Sequence, residues 1–213
     1  MKQIYLIILF LISVIFSLTV LAEQEAEKSL DAVVEIRISV PQNARTAERF
    51  GTNRVASGVV IDKTGHILTI GFQTIEAETV KIVGKDHKTV DAIVVAYDRN
   101  TGFGLLRATS PLQVTPMPFG SSSEVKKGTP VLAVSYGSTN AAHSVVVVAR
   151  KEFAGPWEYL LENAIFTAPP IERFSGAALI NSDGHLVGIG YLFSQLKIEN
   201  QMVMPTNMFV PID

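Results

Sequence analysis

From Asp31 onward the chain is broken into short apolar runs rich in valine and isoleucine, each ended within a few residues by Gly, Pro, Asn or Asp. β-Branched side chains sit well on a pleated surface and lose rotamer freedom in helices, so this punctuation predicts strands joined by turns. The runs are Val33 to Val40, Val55 to Asp62, His66 to Ile70, Val80 to Val83, Val90 to Tyr97, Gly104 to Arg107, Val131 to Tyr136, Ser144 to Arg150, Glu158 to Phe166, Ala177 to Ile180, Leu186 to Tyr191 and Gln201 to Met204. No long stretch keeps the period of an amphipathic helix, and the polar segment 42–53 reads as a surface loop. A dozen short strands bury their apolar faces by closing into barrels or stacking as a sandwich, which makes the chain all-β.

One internal echo points to two halves built on one plan. Val59 to Gly71, with Asp62-Lys63-Thr64-Gly65-His66 at its centre, can be laid on Ala178 to Gly190, with Asn181-Ser182-Asp183-Gly184-His185 at its centre. Both read as strand, tight glycine turn, strand. The expected division is residues 23–120 for a first barrel and 121–213 for a second, with the boundary where Gly, Ser and Lys cluster between Phe119 and Lys127.

The first residues carry a targeting signal. Lys2 supplies positive charge, residues 5–21 are nearly all apolar, and Val20-Leu21-Ala22 ends in a small residue before Glu23. Residues 1–22 therefore read as a signal peptide cleaved after Ala22, with residues 5–21 as an uncleaved membrane anchor the alternative. Either way the remainder lies outside the cytoplasm, in a bacterial periplasm or secreted. The chain has no cysteine, so no disulfide staples the fold and neither a cysteine nucleophile nor a thiolate metal site exists. Hydrophobic residues make up 47% and charged residues 18%, enough to build a core without staples. A net charge of -2 with no basic run leaves no electrostatic footprint for nucleic acid.

Ser175 lies in Arg173-Phe174-Ser175-Gly176-Ala177-Ala178-Leu179, the kind of turn that presents a protease nucleophile. The surrounding motifs resemble the trypsin-like serine proteases of the Htr (Deg) type, of the chymotrypsin-fold clan. Ala56-Ser57-Gly58-Val59-Val60-Ile61-Asp62 is similar to that family's G-S-G-x-x-I-D, and Ile67-Leu68-Thr69 to its I-L-T before the catalytic histidine. Asp98 to Leu106 resembles D-x-x-x-D-x-A-L-L, and Val125 to Val134 the entry to the next strand. Ile165-Phe166-Thr167, Ser175-Gly176-Ala177-Ala178-Leu179 and Met204-Pro205-Thr206-Asn207-Met208 follow in order. The resemblance covers about Val33 to Met208 and implies a chymotrypsin/trypsin-like double β-barrel, with no PDZ domain following.

Carried over residue by residue, the resemblance puts Phe72 in the place of the catalytic histidine and Gly102 in the place of the aspartate, and only Ser175 matches. The nucleophile loop is one residue shorter than the family's, with Arg173 and Phe174 replacing its Gly-Asn, and Pro169-Pro170 forms a rigid step before it. A serine hydroxyl is a poor nucleophile until a base takes its proton and a third group orients that base. Four histidines remain: His66, His87, His143 and His185 all read as turn or loop residues, none at metal-ligand spacing. No metal or cofactor is expected, and the lone Trp157 reads as packing. Ser175 is then a vestigial nucleophile, and the chain is expected to be a pseudoprotease that binds a peptide or protein partner in the cleft between its barrels. The alternative is an active serine endopeptidase using Ser175 with a non-standard base.

Overall fold

The computed structural model describes residues 30–137, 142–155, 160–197 and 203–213. The leader and anchor readings of residues 1–22 and the packing role of Trp157 fall outside them. Among the described residues twelve strands appear: β1 Val33–Ser39, β2 Asn53–Val60, β3 His66–Ile70, β4 Thr79–Val83, β5 Thr89–Tyr97, β6 Phe103–Ala108, β7 Pro130–Val134, β8 Ala142–Phe153, β9 Leu161–Ala168, β10 Ala178–Ile180, β11 Leu186–Lys197 and β12 Val203–Pro211. The expected loop at 42–53 contains one turn of helix, α1 Ala47–Phe50, and its last residue opens β2. β12 also runs past the expected end at Met204, because residues 206–210 are buried without a break and pair with β11, and residues 207–209 pair with β9 as well.

The strands close two antiparallel barrels, ordered β1-β2-β3-β6-β5-β4 and β7-β8-β9-β12-β11-β10. Each closes where its first strand meets its fourth, β1 on β4 and β7 on β10. The two orders are identical when six is added to each strand number, so the halves share one plan. The echo in the sequence, however, joins β2–β3 to β10–β11, which are not equivalent hairpins in that plan. Their likeness is that of the turn. Asp62 Oδ1 accepts from the backbone N–H groups of Thr64 and His66, and Asn181 Oδ1 accepts from those of Asp183 and His185. Gly65 and Gly184 take positive φ of 84° and 79°. Side-chain capping of a tight turn selects Asx, then Gly, then a strand residue wherever it occurs. Burial acts to raise the pKa of Asp62, but hydrogen bonds from Thr64 and His66 outweigh it and hold the carboxyl well below its ordinary range.

The core forms where apolar faces meet inside and between the barrels. Ile36, Ile67, Ile82 and Leu106 fill the first barrel, while Phe166, Ile189 and Met208 extend the same cluster into the second. A second cluster around Phe209, Leu179 and Ile165 completes the second barrel. Each such side chain contributes roughly 1.5–3 kcal/mol on full burial. The connection 109–129 lies against both barrels: the Met117 N–H donates to Val60 O, and the Leu186 N–H donates to Pro118 O.

Candidate active site

The Ser175 turn is pinned between the two barrels by its backbone. The Ser57 N–H on β2 donates to Ser175 O at 2.9 Å, and the Gly176 N–H donates to Gly190 O on β11 at 2.8 Å. Gly176, at φ 72°, can only be glycine, since a Cβ there would stand 1.9 Å from Ser57 O. Gly190 is under the same constraint from Phe174 O, also at 1.9 Å. The half-buried Ser175 side chain is thereby fixed at the junction of the barrels.

The side chain that meets it comes from the first barrel. Gln73 donates through Nε2 to Ser175 Oγ at 3.0 Å. Gln73 sits in the 3₁₀ turn Gly71–Thr74, which Thr74 closes by donating its hydroxyl to Gly71 O at 2.8 Å. Buried Arg54 clamps this turn from behind, donating to Gln73 O at 3.1 Å and Ile75 O at 3.0 Å, and also to Gly51 O and the Thr46 hydroxyl. Burial pushes the Arg54 pKa down, and Glu76 nearby opposes that shift.

Phe72, which the resemblance puts in the place of the catalytic histidine, makes its ring contacts with Phe50 and Tyr191. Its ring packs 5.2 Å from Phe50 and edge-on to Tyr191 at 5.7 Å, and Tyr191 meets Phe153 at 6.0 Å. This aromatic row fills one side of the junction between the barrels. Gly102 approaches the turn through its backbone alone, its carbonyl accepting from the Gly71 N–H at 2.7 Å. A side chain at Gly71 would strike the Tyr97 ring at 2.2 Å, so the turn and the Gly102 loop are in direct contact. The nearby carboxylate of Asp98 is occupied by its own turn, accepting from the Thr101 hydroxyl and the Asn100 N–H, which hold its pKa down.

On the other side of Ser175 a cavity of about 510 Å³ opens. Glu35, Arg37, Ser57, Tyr136, Arg173 and Phe174 form much of its wall, and neither histidine nor lysine is among the described residues lining it. The four histidines lie elsewhere: His66 is bonded to Asp62 at 2.7 Å, His185 and His87 are in turns, and His143 is in β8. Among the described residues no cluster of three potential metal ligands exists. The nucleophile loop has positive φ only at Gly176, so Arg173 and Phe174 run in ordinary backbone where the family's loop begins with glycine.

Sequence reasoning missed Gln73 and Arg54. The first is adjacent to Phe72 in a turn, where a shift of one residue changes which side chain faces Ser175. The second reads from sequence as an ordinary strand arginine.

The trypsin-like peptidase domain matches residues 56–189, more than half of the chain. The serine endoprotease DegS of Haemophilus influenzae is 29% identical over 169 residues, which cover 78% of this chain and 49% of that protein. The periplasmic pH-dependent serine endoprotease DegQ of Escherichia coli K12 is 29% identical over 183 residues, covering 76% of this chain and 40% of that protein. The chain thus spans about half or less of the length of these relatives. Among solved structures, the HtrA-type protease AlgW with tripeptide superposes with a TM-score of 0.69 at 19% identity, covering 88% of this chain and 60% of that one. The active form of the Rv3671c protease from M. tuberculosis superposes with a TM-score of 0.69 at 20% identity, covering 90% and 81%. With its two six-stranded barrels, its Ser175 turn at their junction and this match in sequence, the chain belongs to the trypsin-like peptidase family, as a serine protease homologue of the Htr/Deg type.

Proposed function

We propose that this chain is an exported, proteolytically inactive member of its family that acts by binding a peptide or protein partner at the junction of its barrels. The observation that carries this reading is the bond from Gln73 Nε2 to Ser175 Oγ. A carboxamide does not take up a proton near neutral pH, and its N–H engages a lone pair that a nucleophile would use. Losing the histidine or the serine of a catalytic triad costs about 10⁶ in turnover, nearly as much as losing all three members. Arg173 in place of the loop's leading glycine weakens the case for an oxyanion site as well.

Binding does not need the triad. Protease clefts hold peptides as extended strands by backbone hydrogen bonds, and a tripeptide accompanies the AlgW relative. The apolar leader and the periplasmic DegQ relative support a place in the bacterial envelope. No nucleic acid, metal or cofactor enters this reading.

The test is labelling of the folded chain with a fluorophosphonate, with Ser175→Ala as control. No Ser175-dependent label is expected. Label that disappears in the variant would overturn the inactive reading and favour the alternative, an endopeptidase with a non-standard base.

A further inference from the structure

The bond from Gln73 bears on which way the Ser175 hydroxyl can act. Nε2 is a donor only, so its bond to Oγ uses an acceptor lone pair and leaves the hydroxyl hydrogen unspent. Ser175 Oγ donates to none of the described residues, and it borders the cavity of about 510 Å³. A serine in that state is a hydrogen-bond donor facing a space large enough for part of a ligand.

The cavity wall supplies charged groups. Glu35 is buried, and its Oε1 accepts from Arg37 Nε. Glu35 Oε2 and Arg173 Nη1 each lie 2.9 Å from the point where a Cβ on Gly137 would stand, so both groups border the same glycine. Arg173 Nη1 donates to Gly137 O at 3.0 Å, which leaves its other N–H groups available. The wall carries two guanidinium groups, Arg37 and Arg173, and two carboxylates, Glu35 and Glu172, so its formal charges balance. Glu35 is the buried member of this set, while Arg37, Glu172 and Arg173 are exposed, where water and salt screen all three.

We infer that this cavity is a carboxylate-binding site, in which the Ser175 hydroxyl and the Arg173 guanidinium together hold a peptide's carboxylate. The inference rests on the reading of Ser175 as a non-nucleophile. A planar anion beside an arginine fork and a hydroxyl donor receives charge-assisted hydrogen bonds, the strongest kind a neutral cleft can offer. A C-terminal carboxylate and the side chain of Asp or Glu share this chemistry.

The test is an NMR titration of the full chain that follows the Gln73 side-chain amide and Arg173 Nε. Three probes are used: N-acetyl-Ala-Ala as the free acid, the same dipeptide as its C-terminal amide, and N-acetyl-Asp-Ala amide. Saturable shifts with at least one carboxylate probe and none with the Ala-Ala amide are expected. The free acid alone would identify a chain terminus, and the Asp probe alone an acidic side chain. Ser175→Ala and Arg173→Gln should each weaken binding at least about tenfold, the loss of one good charge-assisted contact. Equal shifts from acid and amide, no saturable shift from either carboxylate, or undiminished binding by folded variants would overturn the site. Fluorophosphonate labelling reports separately: label on Ser175 sinks the inactive reading, whereas failed carboxylate binding without label sinks only the site.

Discussion

The Gln73 side chain places a hydrogen-bond donor 3.0 Å from Ser175 Oγ, within the reach a general base needs, but offers no atom that accepts a proton near neutral pH. On the proposed inactive reading, one contact of a relay is kept without its base. Gln73→His should therefore bring measurable reactivity to Ser175. General-base assistance contributes about 10² to 10⁴, and without an orienting carboxylate only a part of that is expected. Fluorophosphonate labelling should rise at least about tenfold over the native chain and vanish in Gln73→His with Ser175→Ala. Unchanged labelling would mean that the turn does not hold residue 73 at the hydroxyl in solution. That no histidine lies between His66 and His87 was legible in the sequence. The replacement was not, because successive side chains of a 3₁₀ turn diverge by about 120° and adjacent Phe72 and Gln73 point to different neighbours.

At the level of elements, the turn Gly71–Thr74 depends on an arginine from another strand. Arg54 donates to the carbonyls of Gly51, Phe72, Gln73 and Ile75 and to the Thr46 hydroxyl, a task its planar fork performs and a single ammonium does not. Arg54→Met should lower stability by about 3 kcal/mol or more, and Arg54→Lys should recover only part of that in urea unfolding. A loss below about 1 kcal/mol for Arg54→Met would mean that the turn holds itself. Most strands were legible from their β-branched runs and turn residues. Two strands run well past their expected ends, β11 to Lys197 and β12 to Pro211, and in β12 the polar Thr206 and Asn207 hide a buried run. Asn207 Oδ1 accepts from the Ile171 N–H at 2.6 Å, a long-range partner that no local pattern announces.

For the molecule as a whole, the tightest place is the contact of the barrels at Gly176. A methyl there would press on Ser57 O at 1.9 Å, and the turn cannot retreat because Gly190 O holds its other side. Gly176→Ala should cost about 3 kcal/mol or more in thermal unfolding. Gly128→Ala is the control: it has positive φ of 92° but nothing within 4 Å, so only about 1–2 kcal/mol of backbone strain is expected. Equal losses for the two would show that the barrels have room to part. By itself the sequence determined the strand content and the two-barrel class, because each of these is written in residue types and short-range order. The echo of two similar hairpins pointed to two halves although the hairpins hold different places in the barrels, since an Asx-Gly turn records the turn and not its position. Only the tertiary structure decided that Gln73 meets Ser175 across 102 residues, that Arg54 holds it there, and that Arg37, Glu35 and Arg173 share a cavity beside it. Those meetings depend on how each barrel closes and how the two barrels are set against each other, and that register comes from the packing of the whole core rather than from any local run of residues.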